Sequence, residues 1–292
     1  MRKIISFLFV LLFLTLNAYS VEHDTIKRGV LNPPKYPDSP VIKENSVNRK
    51  PVPYAALREA DVMWSKRVWR VIDLREKMNL PLYYPDSPTL GRKSLFDVII
   101  DEALHTGDIT CFGNPAIDDE FRYEMTRTEV LNRLSSVDTQ LIERVDGSGF
   151  DKVAIPNDIT SAQVWKYWVK EDWFYDKQRS VMEVRIIGLC PLIEKVTQSG
   201  DHLGADVPLF WIYFPEARPV FANSEVFMRK NDAERRTLDD VFWKRMFSSY
   251  IRKESNVHDR GIYEYKTGLD CLLESDRVKN DIFTFEHDLW HF

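Results

Sequence analysis

The chain is 292 residues long, 44% hydrophobic, and sets 40 Lys and Arg against 45 Asp and Glu for a net charge of −5. That balance provides no basic field to gather nucleic acid or anionic lipid, and so argues against a direct nucleic-acid role. The length is ample for a buried core in one large domain or two packed halves.

Arg2 and Lys3 precede an apolar run from Ile4 to Leu16 and a small-residue exit, Asn17-Ala18-Tyr19-Ser20, which predicts a secretory signal peptide over residues 1–20. The run is too short to span a bilayer comfortably. No cysteine follows it for the acylation that makes a bacterial lipoprotein, so the mature chain is expected free in an extracytoplasmic space, held at a membrane only through a partner. Export permits disulfides, but Cys111, Cys190 and Cys271 are odd in number and widely spaced. They form neither a CxxC metal site nor a disulfide framework; buried free thiols are the simpler reading, one closed pair the alternative.

Residues 21–53 carry Pro33, Pro34, Pro37, Pro40, Pro51 and Pro53 among charged residues with few large aliphatics. Such a segment cannot bury a face of its own and is expected to be an extended, polyproline-like arm. It reads either as a solvated tether or as a strap crossing a neighbouring subunit, since a stiff segment loses less entropy on docking.

The folded domain, 54–292, is expected to open with a helix from Tyr54 to Arg67. A strand then follows in VWRVIDL, where Val68, Arg70, Ile72 and Leu74 alternate against Trp69, Val71 and Asp73, and a second in LPLYYP, ended by Pro85. Ser94 with Asp97 predicts a capping box for a helix that exits at Gly107, with Leu95, Val98, Ile99 and Ala103 on one face. Thr126 with Glu129 predicts another over TRTEVLNRL.

A second series is expected from Thr160, which with Gln163 resembles a capping box before a helix over SAQVWKYWVKEDWFYD. Strands are predicted in VMEVRIIGLCPL, in PLFWIYFP and, briefly, in ARPVFA. Thr237 with Asp240 then caps a long helix bearing Leu238, Phe242, Met246 and Tyr250 on one face. Thr267 to Trp290 reads as an amphipathic helix with Val278, Ile282, Phe285 and Leu289 inward. The order helix, strand, strand, helix recurs, with Arg70/Arg185, Ile72/Ile187 and Leu74/Leu189 in matched places. Two pseudo-repeated halves, 54–150 and 151–292, or two unrelated lobes both fit this pattern. The fold class expected is α+β, a mixed or antiparallel sheet with capped helices.

Chemistry is sparse. His287 and His291 stand four apart, the spacing of a zinc-peptidase pair, but Asp288 replaces the glutamate and the pair lies where chain ends fray. The acids Asp118 to Glu120 and Asp239 to Asp240 are explained more simply by capping and solvation. The sequence has no GxSxG, P-loop or GxGxxG, so no residue is assigned a catalytic, cofactor-binding or metal-binding role.

Aromatics are the positive clue, among them Trp64, Trp69, Trp165, Trp168, Trp173, Phe174, Tyr175, Trp211, Tyr213, Phe242 and Trp243. Neighbours such as Trp173-Phe174 and Phe242-Trp243 cannot point the same way, so some are expected at the surface as subunit anchors, or as sugar-stacking platforms in a glycan- or peptidoglycan-binding module.

Three blocks carry a resemblance: VWRVIDLREKMN, the long run from Phe210 to Asn256, and the terminal FEHDLW. They resemble the GldN family of gliding-motility proteins, called PorN in non-gliding relatives, from about Ala55 onward. The resemblance implies a periplasmic accessory subunit of the type IX secretion system. Such subunits self-associate in rings with a GldK/PorK-type outer-membrane lipoprotein and meet a GldM/PorM-type inner-membrane motor. It assigns no catalytic residues. Phe210 to Tyr250 and the arm from Leu31 to Pro53 are the segments expected to meet partners.

Overall fold

The computed structural model describes residues 49–89, 91–143, 150–196, 202–228, 231 and 233–289. The expected signal peptide and the arm as far as Asn48 lie outside them, as does His291.

The architecture is α+β, built on a sheet whose described pairs are all antiparallel. At its centre lies β5 (Val164–Asp176), flanked by β1 (Val62–Asp73) and β6 (Val181–Val196). Beyond β1 comes β11 (Tyr250–Glu254); beyond β6 come β7 (His202–Pro208), β8 (Trp211–Tyr213) and, outside β8, β2 (Cys111–Phe112). A separate hairpin joins β3 (Ser135–Glu143) to β4 (Phe150–Asp158). Strands from both sequence series therefore share one sheet.

Six helices punctuate the described chain: α1 (Leu80–Tyr83), α2 (Leu95–Asp101), α3 (Arg127–Leu134), α4 (Phe214–Asn223), α5 (Leu238–Trp243) and α6 (Leu269–Asp288). Local chemistry starts three of them. Ser94 accepts from the Asp97 N–H, and Thr126 and Thr237 each make reciprocal capping boxes with Glu129 and Asp240. Gly107, at φ 79°, ends the π-turn that extends α2.

One face of the sheet carries the main core, in which Ile72, Tyr167, Val169 and Leu189 pack with Leu95, Ile99, Phe214, Phe221 and Phe242. Each large side chain buried there contributes on the order of 1.5–3 kcal/mol. Further along, Val68 and Ile251 meet Val278 and Ile282 of α6, while Trp64 stacks on Phe285 at 4.6 Å. Cys190, Phe112 and Trp211 form a third cluster, with Trp69, Phe121 and Trp168 against it.

Several expectations are corrected. The helix expected from Tyr54 to Arg67 is instead irregular chain, one 3-10 turn and the start of β1, because Val62 to Arg67 alternate half-buried and exposed, the period of a strand with one wet face. Thr160 makes no cap bond, and the segment expected as a helix after it becomes the central strand β5. Its apolar residues are needed on both faces, so two-residue alternation is hidden, and its aromatic and β-branched content suits a strand. LPLYYP gives the short α1 with proline in its first turn, not a strand.

ARPVFA lies in α4. Pro219 removes one helical hydrogen bond, but Phe214, Ala217, Phe221 and Ala222 all bury from that helix, and burial decides. The long helix after Thr237 stops at Trp243, where Arg245 turns left-handed at φ 51° and Tyr250 begins β11. The helix, strand, strand, helix order therefore does not recur.

Candidate protein-docking surface

A groove of about 1200 Å³ opens where the chain after α1 faces the small ribbon of β9 (Glu225–Val226) and β10 (Arg236–Thr237). Met78, Pro81, Tyr84, Pro85, Val226 and Phe227 line it, with Met246 behind. Three of these apolar side chains stand in solvent, Met78 at 55%, Tyr84 at 48% and Phe227 at 45% exposure. The rim carries both signs of charge in Lys77, Asp86, Arg92, Glu234 and Arg236, and the Arg92 guanidinium lies 5.5 Å over the Phe227 ring. An apolar trough with a mixed polar rim is the layout of a protein-binding site.

Beside it, the end of the arm is strapped to the body. The Arg49 backbone N–H donates to Asn223 Oδ1 at 2.9 Å and its guanidinium to the Arg235 carbonyl at 3.1 Å. Tyr54 lies over Arg218 at 4.5 Å and against Trp243 at 5.4 Å, while Arg185 sits 5.0 Å over the same ring and donates to the Ala55 carbonyl at 2.6 Å. Burial pushes the Tyr54 phenol above its ordinary pKa. So Arg49 of the predicted arm and the first residues of the folded domain after it dock on their own subunit.

A charged seam separates the main core from the α6 cluster. Glu171 is fully buried on the inner sheet face, 3.1 Å from the Arg70 guanidinium and 3.0 Å from that of Arg245, and accepts from the Trp173 indole N–H at 3.1 Å. Burial lowers the Arg70 pKa, against the Glu171 carboxylate beside it. On the opposite face Lys170 donates to the Asp119 carbonyl at 2.6 Å and packs over Trp69 and Phe121; burial lowers its pKa too. These charges pin loops to the sheet.

The acids weighed earlier have structural partners. Asp118 accepts from the Glu120 and Arg122 N–H groups, Asp119 from the Trp69 indole and Asp239 from Arg218, while Asp240 caps α5. His287 lies exposed beside Asp288, with its zinc-type partner His291 outside the described residues. Among the described residues no three His, Cys, Asp or Glu side chains are placed to hold a metal ion.

Of the block Phe210 to Tyr250, most is core: Phe210, Trp211, Phe214, Phe221, Leu238 and Phe242 are buried. Its large hydrophobic side chains at the surface are Tyr213, Phe227 and Trp243. Phe242 and Trp243 do diverge, one inward and one outward. Tyr84 is hidden in the sequence because LPLYYP has the pattern of a strand that a sheet would pair, and Met78 because it stands alone in the polar turn before it. No described helix is long and apolar enough to cross a membrane.

No curated protein matches the chain. The family model for gliding motility associated protein GldN matches residues 57–291, taking in the whole sheet, the groove and α6. The chain belongs to the GldN family.

Proposed function

We propose that this protein is a periplasmic structural and coupling subunit of the type IX secretion system. It assembles with a GldK/PorK-type outer-membrane lipoprotein into a ring and contacts the periplasmic part of a GldM/PorM-type motor. The family match over 57–291 carries this reading, since it ties the chain to gliding motility and the secretion machinery associated with it. The solvent-open apolar groove supports it, as does the arm strapped at the groove's edge. Work passed through such a subunit needs rigid contacts on more than one side, which a sheet and a helix pair each pinned by a buried ion pair supply.

Co-expression with the lipoprotein, followed by size-exclusion chromatography, tests the assembly; a shared peak larger than either chain is expected. Loss of secretion on deleting the gene, restored by the intact chain, tests the role. A solitary monomer beside the lipoprotein, with secretion unchanged on deletion, overturns the proposal. Retention on purified peptidoglycan without the lipoprotein would favour glycan binding instead, although Trp243, the most exposed described tryptophan, already stacks on Arg218 and Tyr54.

A further inference from the structure

We propose that the groove beside α1 receives an extended proline-rich segment, and that its occupant is the Leu31–Ile42 stretch of a second copy of this chain. The inference rests on the ring reading above and names the contact that would link one subunit to the next.

Chemistry selects the ligand class. A polyproline strand has no internal backbone hydrogen bonds, rises about 3.1 Å per residue, and docks through its rings into grooves walled by aromatic side chains. Tyr84 and Phe227 offer such faces, Pro81 and Pro85 flat apolar walls, and Met78 a flexible one that adapts to either. The sequence LNPPKYPDSPVI from Leu31 to Ile42 brings prolines at 33, 34, 37 and 40, together with Leu31, Tyr36, Val41 and Ile42 for a trough. Lys35 and Asp38 bring one charge of each sign to a rim that carries both. Because such a strand is already stiff, docking it costs less conformational entropy than ordering a flexible loop.

The point of attachment makes the arm available. The described chain begins at Arg49, bonded to Asn223 and to the Arg235 carbonyl, and Arg235 lies between Glu234 and Arg236 on the groove's wall. Residues 43–48 therefore tether Ile42 to the groove's edge, with a reach of at most about 25 Å at ~3.5 Å per residue. That reach covers the chain's own groove as well as one on an abutting copy; the ring reading above selects the second, and the two tags tell them apart. When one face gives an arm and a different face receives one, the contact is heterologous, and repeated it closes a ring.

The test uses the full mature chain. One tagged copy carries Tyr36→p-benzoylphenylalanine and is co-expressed with a second, differently tagged copy without it; after irradiation, species bearing both tags are mapped by mass spectrometry. Cross-links from position 36 onto Met78, Tyr84 or Phe227 of the other copy are expected. They should fall at least tenfold when the receiving copy carries Met78→Ser and Phe227→Ser, both at exposed positions, with unchanged circular dichroism. Cross-links confined to one copy, cross-links elsewhere on the surface, or none at all overturn the proposal. Co-elution with the lipoprotein in the same preparations separates the two ideas. Co-elution without the groove cross-link sinks the arm contact alone, whereas the cross-link without co-elution sinks the lipoprotein partnership.

Discussion

Arg218 of α4 and Asp239 of α5 face each other in a two-pronged ion pair, Nε to Oδ1 at 2.8 Å and Nη2 to Oδ2 at 3.1 Å, with both side chains nearly sealed from water. Trp243 covers the guanidinium at 4.9 Å. Removing one partner strands a charge in the interior, so Asp239→Ala should lower unfolding free energy by roughly 3–5 kcal/mol, read from the urea midpoint. Replacing both, as Arg218→Met with Asp239→Leu, should cost far less than the single change. Equal losses in the single and double variants would mean that the packing of α4 on α5, and not the charge, sets the cost.

The strap depends on one ring. Tyr54→Ala removes the face shared by Arg218, Arg185 and Trp243, the two cation contacts contributing about 0.5–2 kcal/mol each and the ring pair about 0.5–1.5 kcal/mol. Backbone amides over 49–58 should then exchange hydrogen faster, with those of β5 unaffected. Unchanged exchange over 49–58 would show that Arg49 alone holds the segment.

How far the fold could be read followed the range of the interactions that decide each element. The caps at Ser94, Thr126 and Thr237 were legible because a side chain and an N–H three residues on settle them locally. Thr160 offered the same pattern, yet the residues after it pair with β1 and β6 across the middle of the sheet, and those long-range bonds overrule a local signal. Pro219 misled in the other direction, since its cost to α4 is fixed while the burial of Phe221 at no exposure depends on the rest of the fold. The docking groove was the least legible. Met78 and Phe227 are 149 positions apart, and nothing between them announces that they share a wall.

The three cysteines are free thiols. Burial pushes the Cys111 thiol up to about 12 and raises that of Cys190 as well, so neither presents thiolate at neutral pH. Cys271, half-buried near the start of α6, is the accessible one. A maleimide reagent should therefore label one site in the folded chain and three in denaturant, as counted by intact mass. Labelling at Cys111 or Cys190 under native conditions would indicate that the β2 edge of the sheet opens.

Gly188 marks where a loop lies close against the sheet. A Cβ there would stand 2.5 Å from Phe121 Cζ and 3.2 Å from the Trp211 ring, while Phe121 is itself held at φ 60°, a conformation that side chains rarely adopt. Gly188→Ala should cost about 1–3 kcal/mol by displacing the Phe121 ring. In the background of Phe121→Ala the same change should cost less, because the obstructing ring is gone. A double-mutant cycle measures the difference, and additivity would place the strain in the β6 backbone instead.

Acid should loosen α5 through a single carboxylate. Burial pushes the Asp240 pKa up, but hydrogen bonds from the Thr237 N–H at 3.2 Å and hydroxyl at 3.1 Å, with Lys244 and Arg49 close by, more than offset it and hold the group below its ordinary value. A carboxylate depressed in the folded state adds stability that is complete above the unfolded value of about 3.9 and disappears as pH falls through the lower folded value. Asp240→Asn should therefore cost about 1 kcal/mol near neutrality, the size of a lost cap interaction with its share of the helix dipole. The gap between wild type and variant should shrink toward zero as pH falls below about 3.9 and through the lower folded value, followed by urea unfolding at each pH. Because Arg49 reaches the same carboxylate at 3.4 Å, hydrogen exchange at the start of the strap should quicken over the same interval. If wild type and variant keep a constant separation at every pH, another acid governs this end of the sheet, and the link from the α5 cap to the arm fails.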